Sequence, residues 1–338
     1  MSRREDHRLT TGLGRYTSDW NLPGQLHAVF LRADRAHAEI VKLDAARALA
    51  HPGVKAIFTG DDARDAGFKS LPNPVGYPGK NGQQLRKPHH PVLAQGRVRY
   101  VGEPVAMVVA ESAAIAQDAR DLIDVEYRDL RAVIGFDAAL AADAPELHAD
   151  ASGKHAGNLA FEFESGDEAA TLAAFARAQH VSKLTVDSQR VVGNPLEPRA
   201  CLVAFDAASG RYTLHLPLQG VGGMRGQIAA VTGLEHDKIV IDTQDVGGSF
   251  GVRGAVYPEY FAAMLAARTL GRPVKWVGSR SECFMSDFHG RAISLTGEIA
   301  LDADGKFLAL RFDDRADLGA YAGAFGAFIA TRNLTVTI

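Results

Sequence analysis

The sequence predicts a mixed α/β (α+β) fold in two domains, and three observations predict it. Short apolar strands alternate with helical stretches, a strand, a glycine-rich loop and a helix follow one another between 238 and 270, and 338 residues exceed what one small core organises. The composition is that of a folded chain, with 46% hydrophobic and 23% charged residues.

Leu26–Arg32 reads as a strand and Asp44–Ala50 as a short helix with Asp44 as its N-cap, ended by His51-Pro52-Gly53. Val54–Thr59 returns as a strand. Asp61–Gly96, rich in Gly, Pro and polar residues, reads as a long irregular excursion. Glu103–Ala110 is a nearly continuous apolar run, as a buried strand requires, and Ser112 is placed to cap a helix over Ala113–Ile123. A further strand begins at Val125. Ala141–Gly157, small and polar, reads as a linker.

Beyond it, Leu172–Gln179 is helical in pattern, and Leu184–Val192, Cys201–Asp206 and Tyr212–Pro217 are strands. Gly226–Thr232 reads as a helix, Lys238–Asp242 as a strand, and Pro258–Leu270 as a helix stopped by Gly271. Val274–Gly278, Ile293–Leu301 and Phe307–Phe312 complete the strands, the last two joined by a turn at Asp302–Gly305.

A formal charge of −3 with scattered basic residues gives no reason to expect a nucleic-acid partner. The opening MSRREDHRLTTGLGRY lacks the apolar core of a signal peptide. No window approaches the roughly 18–20 apolar residues of a membrane span; the stretch Tyr260–Ala267 is closed by Arg268. Cys201 and Cys283 lie far apart, so no disulfide framework or thiolate iron–sulfur site is readable, and a cytoplasmic location is expected.

The most informative stretch is QDVGGSFGVRGAVYPEY, from Gln244 to Tyr260. Gly247 and Gly248 permit close backbone approach, and amides between a strand and a helix suit an anionic or oxo group. A tight turn needing glycine accounts for the same pattern. The spacing does not match the dinucleotide fingerprint and no Walker lysine follows, so a nucleotide-dependent dehydrogenase is disfavoured.

The loop is one of nine ordered segments. The others are GRYTSDW at 14–20, RAHAEI at 35–40, YVGEPVAMVVA at 100–110, NPLEPRA at 194–200, Gln219 before GVGGMR, GRPVKW at 271–276, SDFHGR at 286–291 and LGAY at 318–321. Together they resemble the large subunit of the molybdenum hydroxylases, the family of xanthine dehydrogenase, aldehyde oxidase and aerobic carbon monoxide dehydrogenase. The resemblance implies an a/b hammerhead domain over 1–142 and an incomplete first molybdopterin-binding domain over 155–338.

It further implies that Gln219 hydrogen-bonds an oxygen ligand of molybdenum, a task suited to a neutral amide. Gly248, Ser249, Phe250, Gly251 and Arg253 match the loop beside the cofactor, and no side chain ligates the metal because the pterin holds it. The family usually has Gly at the position of Ser249, and a serine forced to positive φ there is strained. Gly254 stands where purine-oxidising members carry a glutamate, which argues against xanthine.

The family's base, a glutamate near its C-terminus, has no counterpart here, so the catalytic residue is unassigned. The expected cofactor is molybdopterin in its cytosine dinucleotide form. The expected partners are a second half of the large subunit, an iron–sulfur subunit and a flavin (FAD) subunit. The chain is then one polypeptide of a split subunit or a truncated product. The implied reaction inserts water-derived oxygen at an electron-poor carbon of an aldehyde or N-heterocycle; the alternative is a catalytically silent assembly module.

Glu197 and Arg199 read better as core structure than as an acid and an anion clamp. Glu259 reads as a carboxylate at a helix N-terminus. His89, His90 and His289 lack the spaced companions of a metal site.

Overall fold

A computed structural model describes residues 3–73, 78–149, 157–323 and 325–336. In chain order these form α1 (Asp6–Thr10), β1 (Leu26–Arg32), β2 (Ala38–Asp44), α2 (Ala46–Leu49), β3 (Val54–Thr59), α3 (Gly60–Asp65), β4 (Arg97–Val98), β5 (Pro104–Ala110), α4 (Ala113–Arg120), β6 (Asp124–Asp129) and α5 (Phe136–Leu140). There follow α6 (Glu168–Arg177), β7 (His180–Val192), β8 (Ala200–Asp206), β9 (Arg211–His215), α7 (Val221–Thr232), β10 (Ile239–Asp242) and α8 (Pro258–Leu270). The last elements are β11 (Val274–Val277), α9 (Arg280–Ser286), β12 (His289–Leu301), β13 (Phe307–Ala316) and α10 (Gly326–Val336).

The chain divides into two compact units that do not follow chain order. The first joins residues up to Pro72 with His89–Ala132 and Gly193–Phe288. Its main sheet has the order β10-β9-β8-β11-β1-β5-β3, so strands from distant parts of the sequence share one ladder. The seam is the parallel pairing of β1 with β11, Leu26 opposite Val274.

Every residue of β5 is buried. Met107 and Val109 face the core that α8 fills with Tyr260, Phe261 and Met264, whereas Ala106, Val108 and Ala110 meet Ala116 and Ala119 of α4. A strand covered on both faces reads as an unbroken apolar run, which is why 103–110 shows no alternation. The helix α8 is buried from Pro258 through Ala267, as a helix apolar on all sides must be. A smaller sheet, β4-β2-β6, packs around Ala38, Val98 and Val105.

A buried charge network joins β1, α8 and α9. Arg199, with its side chain 0% exposed, donates through Nη1 to Glu259 Oε2 at 2.6 Å and through Nε to Asp287. Arg32 donates to the other Glu259 oxygen at 2.7 Å and to Glu282 at 2.9 Å. Burial alone pushes the Glu259 carboxyl upward, but Arg199 and Arg32 outweigh it and hold it at about 2. Glu259 does stand at a helix start, as expected, but its two arginine partners lie 60 and 227 residues away.

The second unit joins Asn73–Pro88, Val133–Val192 and residues from His289 onward. Its sheet has the order β13-β12-β7. Asp302 Oδ1 accepts from the amides of Asp304 at 3.0 Å and Lys306 at 2.9 Å, closing the turn between β12 and β13.

Several sequence expectations need correction. Asp44 ends β2 and does not cap; the N-cap of α2 is Ala45, although Asp44 Oδ1 accepts from Ala46 N at 3.1 Å. The excursion after Asp61 begins as helix α3 and reaches β4 only at Arg97; residues 74–77 of it lie outside the described set. The strand expected over Tyr212–Pro217 runs from Arg211 to His215. The linker at 141–157 lies partly outside the described residues. Ser112 caps α4 as expected, accepting from Ile115 N at 3.2 Å, although the helix ends at Arg120.

Candidate functional site

The glycine loop leaves β10 and returns to α8, and it meets the segment between β9 and α7. Gln219 lies in that segment, exposed. Its backbone N–H donates to the carbonyl of Arg253 at 3.2 Å, and its side-chain Oε1 accepts the hydroxyl of Ser249 at 2.7 Å. The amide is therefore turned so that Oε1 is occupied and the Nε2 amino group remains as donor. Gln219 and the loop come together at one surface.

Backbone geometry in the loop differs from expectation at one residue. Gly248 (φ 108°) and Gly251 (φ 93°) take the positive angles, and so does Phe250 (φ 51°), while Ser249 is not among the positive-φ residues. The strain expected at the serine falls on the phenylalanine. Phe250 is also 76% exposed, so packing does not explain why an aromatic occupies that backbone. Gly247 is needed for a different reason: a Cβ there would lie 2.5 Å from the Cβ of Glu197.

Among the described residues the amides of Gly248, Ser249, Phe250 and Gly251 have no protein acceptor, whereas those of Gly247, Val252 and Gly254 do. The helix α7 starts just after Gln219 with Gly220 as its N-cap, and no side chain caps it. A Cβ added at Gly220, Gly222 or Gly223 would meet nothing within 4 Å. The surface around Gln219 thus offers one primary amide and a set of neutral backbone N–H groups.

Arg253 is buried, and Nη2 donates to the carbonyl of Glu197. Among the described residues its Nε and Nη1 are buried without a hydrogen-bond partner. The guanidinium therefore braces the loop from behind. Glu197, read from sequence as core structure, is buried and accepts from Gly247 N at 2.8 Å. Sequence reasoning did not connect Glu197 to the loop, because the contact spans 50 residues. Asp245 was not singled out at all, although it directly precedes the Val-Gly-Gly run. His89 and His289 are exposed.

The chain matches two family models, one described as a molybdopterin cofactor-binding domain over residues 151–337 and one as the aldehyde oxidase and xanthine dehydrogenase a/b hammerhead domain over 11–131. It belongs to the molybdenum hydroxylase large-subunit family. Among curated relatives of this molybdenum hydroxylase chain, the carbon monoxide dehydrogenase large chain of Hydrogenophaga pseudoflava is 36% identical over 94% of this chain and 39% of its own length. The 6-hydroxypseudooxynicotine dehydrogenase complex subunit gamma of Paenarthrobacter nicotinovorans is 37% identical with the same coverage.

Among solved structures, quinoline 2-oxidoreductase from Pseudomonas putida 86 superposes with a TM-score of 0.80 at 36% identity, over 93% of this chain and 38% of that one. Carbon monoxide dehydrogenase from Oligotropha carboxidovorans gives 0.82 at 34% identity, over 93% and 39%. The chain thus spans about two fifths of these relatives.

A molybdopterin fits the donor set around Gln219. The unclaimed donors there are neutral N–H groups, which suit oxygen ligands and need no thiolate or imidazole from the protein.

Proposed function

We propose that this chain forms one wall of the active centre of a molybdenum-dependent hydroxylase, with Gln219 and the loop Gly248–Gly251 turned toward a molybdopterin. The observation that carries the reading is the Ser249–Gln219 hydrogen bond of 2.7 Å, which joins the two segments at an exposed surface. When bound, the cofactor supplies two-electron redox chemistry and a Lewis-acidic metal.

The chain's own residues orient and exclude. Gln219 offers Nε2 to an oxygen, the amides of 248–251 offer further donors, and Phe250 closes one side against water. Arg253 holds the loop from within. No residue of this chain is assigned as the base in this reading.

The substrate class we assign is an electron-poor carbon of an aldehyde or N-heterocycle, with water as oxygen source. Relatives named for quinoline, nicotine and nicotinate support the heterocycle. The cofactor form is the cytosine dinucleotide, and iron–sulfur and FAD subunits carry electrons away. The remaining portion of the large subunit is a further partner, and the complex works in the cytoplasm. The second reading is a catalytically silent assembly module.

Co-expression with neighbouring reading frames decides between them. The hydroxylase reading expects a complex holding about one molybdenum per copy of this chain and reducing a dye with aldehydes or N-heterocycles. A stable complex without molybdenum supports the silent module.

A further inference from the structure

Two carboxylates flank the entry to the glycine loop, and both are occupied by the chain's first twenty residues. Asp245 accepts from Arg8 through two parallel bonds, Nη1 to Oδ2 at 2.5 Å and Nη2 to Oδ1 at 2.6 Å. Its Oδ2 also accepts from the backbone N–H of Arg15 at 2.7 Å. Glu197 accepts from Thr17 N at 3.2 Å through Oε1 while its Oε2 takes Gly247 N at 2.8 Å. Glu197 N in turn donates to the carbonyl of Gly247 at 3.2 Å, so Gly247 is held by both its N–H and its C=O.

The same segment reaches the other arm of the site. The Arg15 guanidinium lies 3.8 Å above the Trp20 ring, and Trp20 stacks on His215 with centroids 5.1 Å apart. His215 ends β9, four residues before Gln219. The close fit extends to Gly14, where a Cβ would lie 3.2 Å from both Leu9 and Tyr16. A two-bond arginine–carboxylate pair fixes orientation as well as distance, because both nitrogens of the fork must align.

We propose that residues 8–20 are a clasp that sets the glycine loop against Gln219, with Asp245 and Glu197 as positioning residues. The functional meaning rests on the reading of that surface as cofactor-facing, but the mechanical claim is tested without cofactor. Positioning acts through backbone order. Releasing Arg8 frees one end of the loop, while the sheet beneath keeps its packing.

The experiment is hydrogen exchange on the full chain, comparing wild type with Arg8→Met, Asp245→Asn and, as a control outside the clasp, Arg3→Met. The reporters are the bonded amides of Gly247, Val252 and Gly254, and the reference is the core strand Pro104–Ala110. Loss of one charge-assisted pair predicts roughly ten-fold faster exchange at the reporters in Arg8→Met and Asp245→Asn. The reference strand and Arg3→Met keep wild-type rates.

Wild-type exchange at the reporters in both clasp variants overturns the proposal. So does equal acceleration of the reference strand, which marks a general structural role, or equal acceleration in Arg3→Met. Molybdenum content of the assembled complex is measured separately. Its absence alongside local loosening defeats the cofactor reading and leaves the clasp standing.

Discussion

Ser249 donates its hydroxyl to Oε1 of Gln219 at 2.7 Å. That bond fixes which way the amide faces. A glycine at 249 leaves the amide free to rotate, and the site then depends on the ligand itself to orient it. The serine does this before any ligand arrives, an entropic advantage confined to one torsion.

In the assembled enzyme, Ser249→Ala is expected to lower kcat about three- to ten-fold, the effect of losing one orienting hydrogen bond. Gln219 is exposed and Ser249 half-buried, and the two share a single neutral hydrogen bond, so stability should change by less than about 1 kcal/mol. Steady-state kinetics and urea denaturation on the same preparation separate the two effects. An unchanged kcat removes the orienting role.

Arg199 donates to one oxygen each of Glu259 and Asp287 and to the Ser286 hydroxyl from a fully buried position. Arg199→Met leaves those carboxylates facing an apolar side chain. Removing one partner of a buried pair costs about 3–5 kcal/mol, because the remaining charge stays desolvated. The urea midpoint of Arg199→Met should fall accordingly. A loss below about 1 kcal/mol would mean that Arg32 alone neutralises Glu259.

Two carboxylates contribute to the acid limit of stability through long-range pairs. Glu259 and Asp245 are each held at about 2, below their ordinary values of 4.5 and 3.8. A depressed folded-state value means that the unfolded chain binds protons more readily. Their contribution is thus complete above roughly pH 5 and declines as pH falls through the carboxylate range toward 2. Asp245 is held down first by the hydrogen bond from Arg8 and then by that from Arg15 N, so Arg8→Met should flatten this decline. Denaturation midpoints between pH 6 and 3 in wild type and Arg8→Met test it. Parallel curves would remove Asp245 from the account.

Elements fixed by local chemistry were legible in the sequence. The apolar run of β5, the Ser112 cap and the Pro258–Leu270 helix depend on neighbours within a few residues. The N-terminal half of α7 was not legible, because Gly222 and Gly223 have poor helix propensity and only the burial of Met224 and Ile228 holds the turn. β2 escaped notice since its residues alternate weakly and its middle is exposed. Gln219 and the loop were singled out through an ordered set of motifs and the fold brings them together, whereas Asp245 and the bridging role of Glu197 depend on partners 50 to 237 residues away. No local periodicity encodes such pairings. The serine was misjudged because its departure from glycine was read as backbone strain, when the positive φ belongs to Phe250.

Phe250 combines a positive φ of 51° with 76% exposure, a pairing that stability alone does not maintain. The left-handed region costs a non-glycine residue about 1–2 kcal/mol, and glycine at 250 would recover it. Glycine also loosens the unfolded chain, by about 0.5–1 kcal/mol. The net change for Phe250→Gly is therefore within about 1 kcal/mol of zero, since the exposed ring contributes little packing. Strain kept without a packing return points to use at a surface. Phe250→Gly should leave the urea midpoint nearly unmoved while the assembled enzyme's kcat/KM falls at least about ten-fold, the equivalent of 1.4 kcal/mol. A midpoint drop of several kcal/mol would show that the ring is structural after all, and an unchanged kcat/KM would show that the loop does not face the reacting centre.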